Sequence, residues 1–464
     1  MPPSRFVSLF AVSLYSAMAS FPAHAETPLT LAAAIDAALS ANKSLIGARL
    51  IFESEQHALA SAQSGFDIRI VPSVSLGRLG GDSGYEGSNN SVGVSLNKKF
   101  IQGTQLSLGP SYNQTASGKN TTLNASLHQP LLRGLGREVG ADPLHRAEYV
   151  LDAARRNVEQ TRSDIALDTI VAYYEVLRQE QLLALHRLVR DRLIRHALMA
   201  RGKEKVGLAN PMATYRADLR LNDAEEQVAQ AGYGLENAKN RLKQLLEWPL
   251  ERELSVQPAA APALPDADLE QLAVELRPDL KQLRADIEEA ERNVKLAENR
   301  VLPDLNLLVN YGQVYSTDPA LIQNLSTTQQ QWGVYLQAST DLYRSAEKEA
   351  LRRARLRVES LLLTFETRLQ EVARALRQQR LQLEEAGKRT RLRQDQIRVA
   401  EGKLALAETK FMHDLADNFD VIEAEIELQR ARVSLLGSQI EHAVGTYRLW
   451  AAANQLLERT PWKP

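Results

Sequence analysis

One stretch of the chain, from Tyr343 to Phe411, contains no proline and only two glycines, Gly387 and Gly402. A continuous helix over this stretch would be roughly 100 Å long at about 1.5 Å per residue. Helices in globular domains typically have ~10–14 residues, so an ordinary compact domain cannot hold this one. The stretch therefore predicts an elongated molecule built on long helices.

Apolar residues recur every seven positions along this stretch and again after a short connection at 412–418. Two such lines form the seam of a coiled coil, and the short connection makes the two helices antiparallel. A similar helical pair is predicted from Arg146 to about Lys205 and from Met212 to Leu246. The lines of the later pair are Leu369, Leu376, Leu383, Thr390, Ile397, Leu404 and Phe411, then Phe419, Ile426, Val433, Ile440 and Tyr447.

The chain repeats its own pattern. The sequence from Asn42 resembles that from Arg277, and the sequence from Val206 resembles that from His413. Each half has the order helix (about Leu31 to Ser64 in the first), strands, long helix and return helix, and a Pro/Ala-rich segment separates the halves. The predicted division is a signal peptide at 1–25, a first repeat at 26–255 (strands about 66–130, helical hairpin about 143–247), a linker at 256–267 and a second repeat at 268–464 (strands about 303–342, helical hairpin about 343–455).

Both halves contain segments in which apolar and polar residues alternate, as in Val92 to Asn97 and Leu305 to Tyr311. This alternation is typical of a strand with one apolar and one polar face. The polar positions are mostly Ser, Asn, Gln and Gly, which fits a water-filled lumen opposite a lipid-facing band. A soluble β-sandwich insert is the alternative interpretation.

The N-terminus predicts export. Arg5 precedes a short apolar stretch from Phe6 to Phe21, and an Ala-His-Ala cleavage site ends at Ala25, so Glu26 would begin the mature chain. After residue 25 no apolar run approaches the ~18 residues of a membrane-spanning helix. The chain has no cysteine, which excludes disulfides, thiol catalysis and cysteine-ligated metals.

Charge and motif content argue against an enzyme. Lys and Arg total 56 and Asp and Glu total 57, a balance without the basic excess of a nucleic-acid-binding domain. The eight histidines lack metal-ligand spacing, and no phosphate-binding loop or catalytic constellation is present. We therefore predict no enzymatic activity, no catalytic residue, no cofactor, no metal and no nucleic-acid partner.

The order of segments resembles the TolC-like outer-membrane factors, a family of bacterial export channels. The resemblance covers nearly the whole predicted mature chain, and its specificity comes from the order and duplication of motifs that are individually weak. The motifs are LTLAAAIDAALSANKSL near the mature start, QPLLRG (Gln129 to Gly134), VAYYEVL (Val171 to Leu177), VLPDLNL (Val301 to Leu307), VGLAN (Val206 to Asn210) and DLADNFDV (Asp414 to Val421).

The resemblance implies a mainly α fold with a membrane β-barrel. Strands of a homotrimer would close one barrel in outer-membrane lipid, and the coiled-coil hairpins would continue it as a periplasmic α-barrel. The implied function is a passive exit duct of a tripartite efflux pump or a type I secretion system. Its implied partners are a periplasmic adaptor protein and an inner-membrane pump of the RND, ABC or MFS type. A periplasmic coiled-coil structural protein without a pore is the alternative.

The resemblance also implies that the two hairpin tips contact the adaptor. The family's V-G-L-like tip motif corresponds to Val206, Gly207 and Leu208 in the first repeat. In the second repeat Asp414 stands where glycine is expected and is followed by Leu415. The second tip therefore departs from the family motif at its glycine position.

Further family positions lie beside the second tip. Asp420 and Glu423 match carboxylates that ring the family's periplasmic entrance, and Phe411 matches an aromatic residue that helps latch it. The two acids are three positions apart and so share one helix face. Three copies would bring six carboxylates to a pore, a ring that favours cations. On the residues alone, two solvated surface acids are the simpler interpretation.

The number of strands departs from the family. Family members commonly contribute four strands per chain, whereas six segments with strand character occur here, four in the first half and two in the second. The additional hairpin spans about Ser91 to Tyr112 and turns at about Lys98 to Gly103. The sequence leaves open whether this hairpin widens the barrel or folds outside it.

Overall fold

The structure is a computed structural model that describes the chain apart from its termini and several short internal segments. The predicted signal peptide, Leu208 and Asp414 lie outside the described residues. The described residues are 28–79, 87–115, 118–207, 210–259, 262, 269–317, 326–413, 415 and 418–459.

The first two helices are α1 (Leu31–Ala41) and α2 (Lys43–Ser64). The prediction of one helix from Leu31 to Ser64 is wrong at Asn42, which has extended backbone angles and separates the two. The Asn42 side chain accepts a hydrogen bond from the Ser44 amide at 3.0 Å, so it caps α2. Seven-residue spacing alone does not reveal such a cap.

A single antiparallel sheet follows, with its six strands in chain order. Strands of the two repeats join where β4 (Gly118–Pro130) pairs with β5 (Asp304–Thr317). The six predicted strand segments are therefore confirmed. The first strand of the second repeat continues past Tyr311 to Thr317, farther than the alternation indicated. The strands are β1 (Arg69–Leu79), β2 (Gly87–Lys99), β3 (Gln105–Thr115), β4 (Gly118–Pro130), β5 (Asp304–Thr317) and β6 (Ser326–Ser339).

The long helices form two hairpins that leave the same end of the sheet. The connecting helices are short or intermediate: α3 (Arg137–Gly140), α6 (Leu269–Leu276), α7 (Pro278–Val301) and α10 (Leu456–Arg459). The hairpins are α4 (Asp142–Lys205) with α5 (Pro211–Leu245), and α8 (Ser345–Met412) with α9 (Asn418–Ala452).

Helices α4 and α8 have 64 and 68 residues, which correspond to lengths of about 96 and 102 Å. Besides its hairpin partner, α4 packs against α9, so the four helices lie in the order α5–α4–α9–α8. The predicted heptad seam is confirmed on α8, where Leu376, Leu383 and Leu404 are buried. Among the described residues no helix is both long enough and apolar enough to cross a membrane.

The largest core cluster lies where α1, α4, α5 and α9 meet. Its centre is Tyr173, a fully buried side chain whose hydroxyl donates to the carbonyl oxygens of Leu29 (2.8 Å) and Gln257 (2.6 Å). Burial raises the pKa of Tyr173 to about 12. Because Val256 also forms a parallel bridge with Leu29, residues 256 and 257 of the expected linker are packed against the core.

Candidate site at the ends of the helical hairpins

The first hairpin turns on one glycine and one cap. Gly207 follows α4 with a φ of +74°, a left-handed conformation that glycine adopts without the penalty of other residues. Asn210 then accepts a hydrogen bond from the Met212 amide at 3.0 Å and caps α5, with Pro211 in the first turn. Val206 is 68% exposed, so the turn carries an apolar side chain into solvent.

The second hairpin turns differently. The Leu415 amide donates to the Lys410 carbonyl at 2.8 Å, which closes the end of α8. The Leu415 side chain is 77% exposed and that of Met412 is 73% exposed. Each hairpin end therefore presents apolar surface where no core residue covers it.

Cations on the first hairpin lie over aromatic rings of the second. The Lys203 ammonium is 4.3 Å from the centre of the Phe411 ring, and the Arg216 guanidinium is 5.4 Å from that of Phe419. Such contacts contribute about 0.5–1 kcal/mol at exposed sites. The other side of Phe411 packs on the small core cluster that contains Leu404. Phe411 thus connects the ends of the two hairpins within one chain.

Acidic residues form a stripe along the first two turns of α9. Asp420 and Glu423 are exposed, and Glu427 continues the stripe one turn later. Glu427 pairs with the Lys403 ammonium of α8 at 2.8 Å. The hydrogen bond to Glu427 raises the pKa of Lys403, and the charges of Glu423 and Asp420 add to this shift. The structure therefore brings the two predicted acids together, beside a lysine that the sequence reasoning missed.

One turn of α9 also carries a buried carboxylate. Glu425 is only 2% exposed, and its Oε2 lies 2.7 Å from Nη1 of Arg192 on α4. A buried carboxylate needs a paired cation because its desolvation is costly. Sequence reasoning missed this pair. The signal was the position of Glu425 between Ile422 and Gln429, on the apolar side of the helix.

A second buried polar contact joins three helices. The Gln429 amide nitrogen lies 2.7 Å from Nδ1 of His186 on α4 and donates to Oε1 of Gln227 on α5 at 3.1 Å. An amide nitrogen only donates, so Nδ1 accepts. Burial lowers the pKa of His186, which agrees with a neutral ring.

We expect acidification to weaken this contact. Because the folded-state pKa of His186 is lowered, the unfolded chain binds the proton more strongly, and stability is lost as pH falls below about 6.5, the ordinary histidine value. Thermal unfolding in detergent between pH 7.5 and pH 5 should show a smaller drop for His186→Gln than for the native protein. An equal drop in both proteins would assign the acid sensitivity to other groups.

One part of the chain matches the model of a known family. Residues 269–446 match the family model described as outer membrane efflux protein. Over these residues the chain is similar to members of this family.

Solved structures of similar proteins cover this chain almost completely. The open state of the outer membrane channel MtrE of Neisseria gonorrhoeae is 17% identical, with a TM-score of 0.71 over 93% of this chain and 91% of that one. The outer membrane protein VceC of Vibrio cholerae is 15% identical, with a TM-score of 0.67 over 92% and 95%. At such identities the likeness establishes the fold.

A curated relative is the cobalt-zinc-cadmium resistance protein CzcC of Cupriavidus metallidurans. It is 23% identical over 291 residues, which are 62% of this chain and 59% of CzcC. The match therefore spans less than two thirds of that relative.

Proposed function

We propose that three copies of this chain form an outer-membrane exit duct that reaches through the periplasm. It conducts substrates passively from an inner-membrane pump of the RND, ABC or MFS type and its periplasmic adaptor, in a tripartite efflux pump or a type I secretion system. The observation that carries this proposal is a two-faced sheet, shared by both repeats, at one end of two helical hairpins of about 100 Å.

The proposed roles of the hairpin ends follow from their exposure and charge. Val206 and Leu415 present apolar surface at the two tips, which suits contact with an adaptor. Gly207, Leu208 and Asp414 complete the proposed tip contacts by their family positions. Phe411, the proposed latch, contacts Lys203 of the other hairpin. We propose that this contact breaks when the entrance opens.

Fractionation of cell membranes, followed by electron microscopy of the detergent-extracted protein, tests the proposal. We expect the protein in the outer-membrane fraction, with threefold particles well over ~100 Å long, the reach of one long helix. Protein that stays soluble in the periplasm, or compact or filamentous particles, would instead support a coiled-coil scaffold without a pore.

Replacing both Asp420 and Glu423 with amides should reduce cation selectivity. The exposed acids of three copies would form a ring of six negative charges at the entrance. Losing about 1 kcal/mol of attraction between a cation and the entrance, the scale of one charge contact in water, corresponds to a roughly fivefold lower ratio of cation to anion permeability. Bilayer recordings under a salt gradient measure this ratio.

The control for this measurement is Glu359→Gln with Glu384→Gln. These acids lie on α8, far along the hairpin from its tip. The control should retain the native selectivity. Unchanged selectivity in the Asp420/Glu423 variant would show that the two residues are solvated surface acids with no role in selectivity.

A further inference from the structure

We propose that the β2–β3 hairpin is part of the membrane wall, so that three copies close an eighteen-stranded barrel. In this barrel β1 of one copy pairs with β6 of the next. The inference rests on the proposed trimeric channel and concerns the architecture of its wall, which differs from the four strands per chain that the family resemblance implies.

The turn of the β2–β3 hairpin is fastened to the body of the protein. The Gly136 amide donates to the Gln102 carbonyl at 3.2 Å, and the Thr104 hydroxyl donates to the side-chain oxygen of Gln129 on β4. Gly140 of α3 lies so close to the turn that a Cβ there would overlap the Ile101 carbonyl oxygen. A hairpin held in this way is not an appendage beside the wall.

The apolar face continues through all six strands and is interrupted by a few polar residues, such as Gln313 and Gln330. The pairing register places apolar residues of neighbouring strands side by side, which a lipid-facing surface requires in every strand. The same register places Ser, Asn, Gln and Gly on the other face. One apolar row runs from Val74 through Val92 to Tyr112, and another from Leu106 through Leu127 and Val309 to Val334.

The two edge strands carry the most exposed apolar side chains of the sheet. Val74 and Leu76 on β1 are 69% and 77% exposed, and Trp332 and Leu336 on β6 are 79% and 67% exposed. Apolar side chains of interior strands are less exposed, for example Val94 at 37%. The edges therefore have the pattern expected of strands whose next neighbour lies in another copy.

Strand direction allows the two edges to pair. An antiparallel sheet with an even number of strands has edge strands that run in opposite directions. Placing β6 of one copy beside β1 of the next therefore continues the antiparallel order. The 11 residues of β1 and the 14 of β6 are long enough to span a membrane, since about 9–11 residues suffice.

The register within the chain also indicates the register between copies. A path straight across the paired strands from Arg69, the first residue of β1, reaches Gly333 on β6. Gly333 is six residues before Ser339, the last residue of β6. The path runs through Arg69, Asn97, Ser107, Ser126, Asn310 and Gly333.

If the rim is level, Arg69 of one copy lies opposite Ser339 of the next. The stagger of the closed barrel is then three times six residues over eighteen strands. With about 3.3 Å per residue and 4.8 Å between strands, this stagger gives a tilt of about 35°. Outer-membrane barrels tilt by roughly 35–45°.

The resulting register is consistent with the two faces. It pairs Val74 with Val334 and Leu76 with Trp332 of the neighbouring copy, apolar on apolar. At this tilt the barrel is about 34 Å across between backbones, whereas twelve strands at the same tilt would give about 23 Å. The eighteen-stranded barrel would therefore have a diameter about one and a half times that of a twelve-stranded barrel.

Disulfide trapping in outer membranes tests the inference, because the native chain has no cysteine. The test variant carries Val74→Cys with Val334→Cys. A pair opposite each other on neighbouring strands is within disulfide range. We expect oxidation to convert most of the protein into covalent trimers on a non-reducing denaturing gel.

Two further cysteine pairs make the result decisive. Val309→Cys with Val334→Cys joins β5 to β6 within one chain, so it should oxidise without forming trimers. Val74→Cys with Ala125→Cys reports a twelve-stranded barrel, in which the β2–β3 hairpin lies outside and β1 pairs with β4. In the eighteen-stranded barrel those two positions are three strands apart, about 14 Å, and should not cross-link.

The outcomes separate the inference from the proposed function. A disulfide in the Val74/Ala125 pair would overturn the inference and leave the channel intact. Failure of the Val74/Val334 pair while the Val309/Val334 pair oxidises would also overturn it. Absence of the protein from the outer membrane would contradict the channel itself.

Discussion

Replacing Arg192 with alanine is expected to destabilise the folded protein by about 3 kcal/mol. The substitution leaves Glu425, which is 2% exposed, without the guanidinium that lies 2.7 Å away. Breaking a buried ion pair from one side costs about 3–5 kcal/mol, and the 32% exposure of Arg192 favours the lower end. Unfolding of the purified protein in detergent, by heat or by denaturant, measures the loss.

Two controls locate the cause in the buried carboxylate. Arg192→Leu combined with Glu425→Leu removes both charges and should recover most of the stability. Arg398→Ala breaks an exposed pair with Asp395 and should cost less than about 1 kcal/mol. Equal losses of unfolding free energy from Arg192→Ala and Arg398→Ala would show that water or another group stabilises the Glu425 carboxylate when Arg192 is absent.

Replacing Gly140 with alanine is expected to cost about 3 kcal/mol, near the upper end for a single added methyl group. The new Cβ would overlap the Ile101 carbonyl oxygen and lie 2.9 Å from the Gly103 amide nitrogen. Both contacts are with backbone, which cannot swing aside as a flexible side chain can. The β2–β3 turn must therefore move away from α3.

The matched control is Gly202→Ala, within α4. A Cβ at Gly202 meets nothing within 4 Å, and alanine is the better helix former. This control should raise stability by about 0.5–1 kcal/mol. A similar loss in both variants would mean that the close approach at Gly140 is relieved at little cost.

Much of the fold could be predicted because its signals are local. Seven-residue spacing located the seam that buries Leu376, Leu383 and Leu404, and period-2 alternation located all six strands. The break at Asn42 was missed because one capping side chain changes the backbone there without changing the apolar pattern.

The candidate site was predicted only in part. Asp420 and Glu423 were placed on one helix face by their spacing, and the structure puts them there. Lys403, Arg192 and His186 were missed because each meets its partner on a different helix. Spacing along a chain carries no information about which helices become neighbours.

The long helices, the two-faced strands and the duplication follow from sequence periodicity alone, because secondary structure converts each period directly into a face or a length. Three features emerge only when the elements pack together: strands of both repeats share one sheet, Glu425 is buried against Arg192, and the β2–β3 turn rests on Gly140. These features depend on contacts between residues far apart in the chain. Such contacts follow from how whole elements fill space together, which no local pattern records.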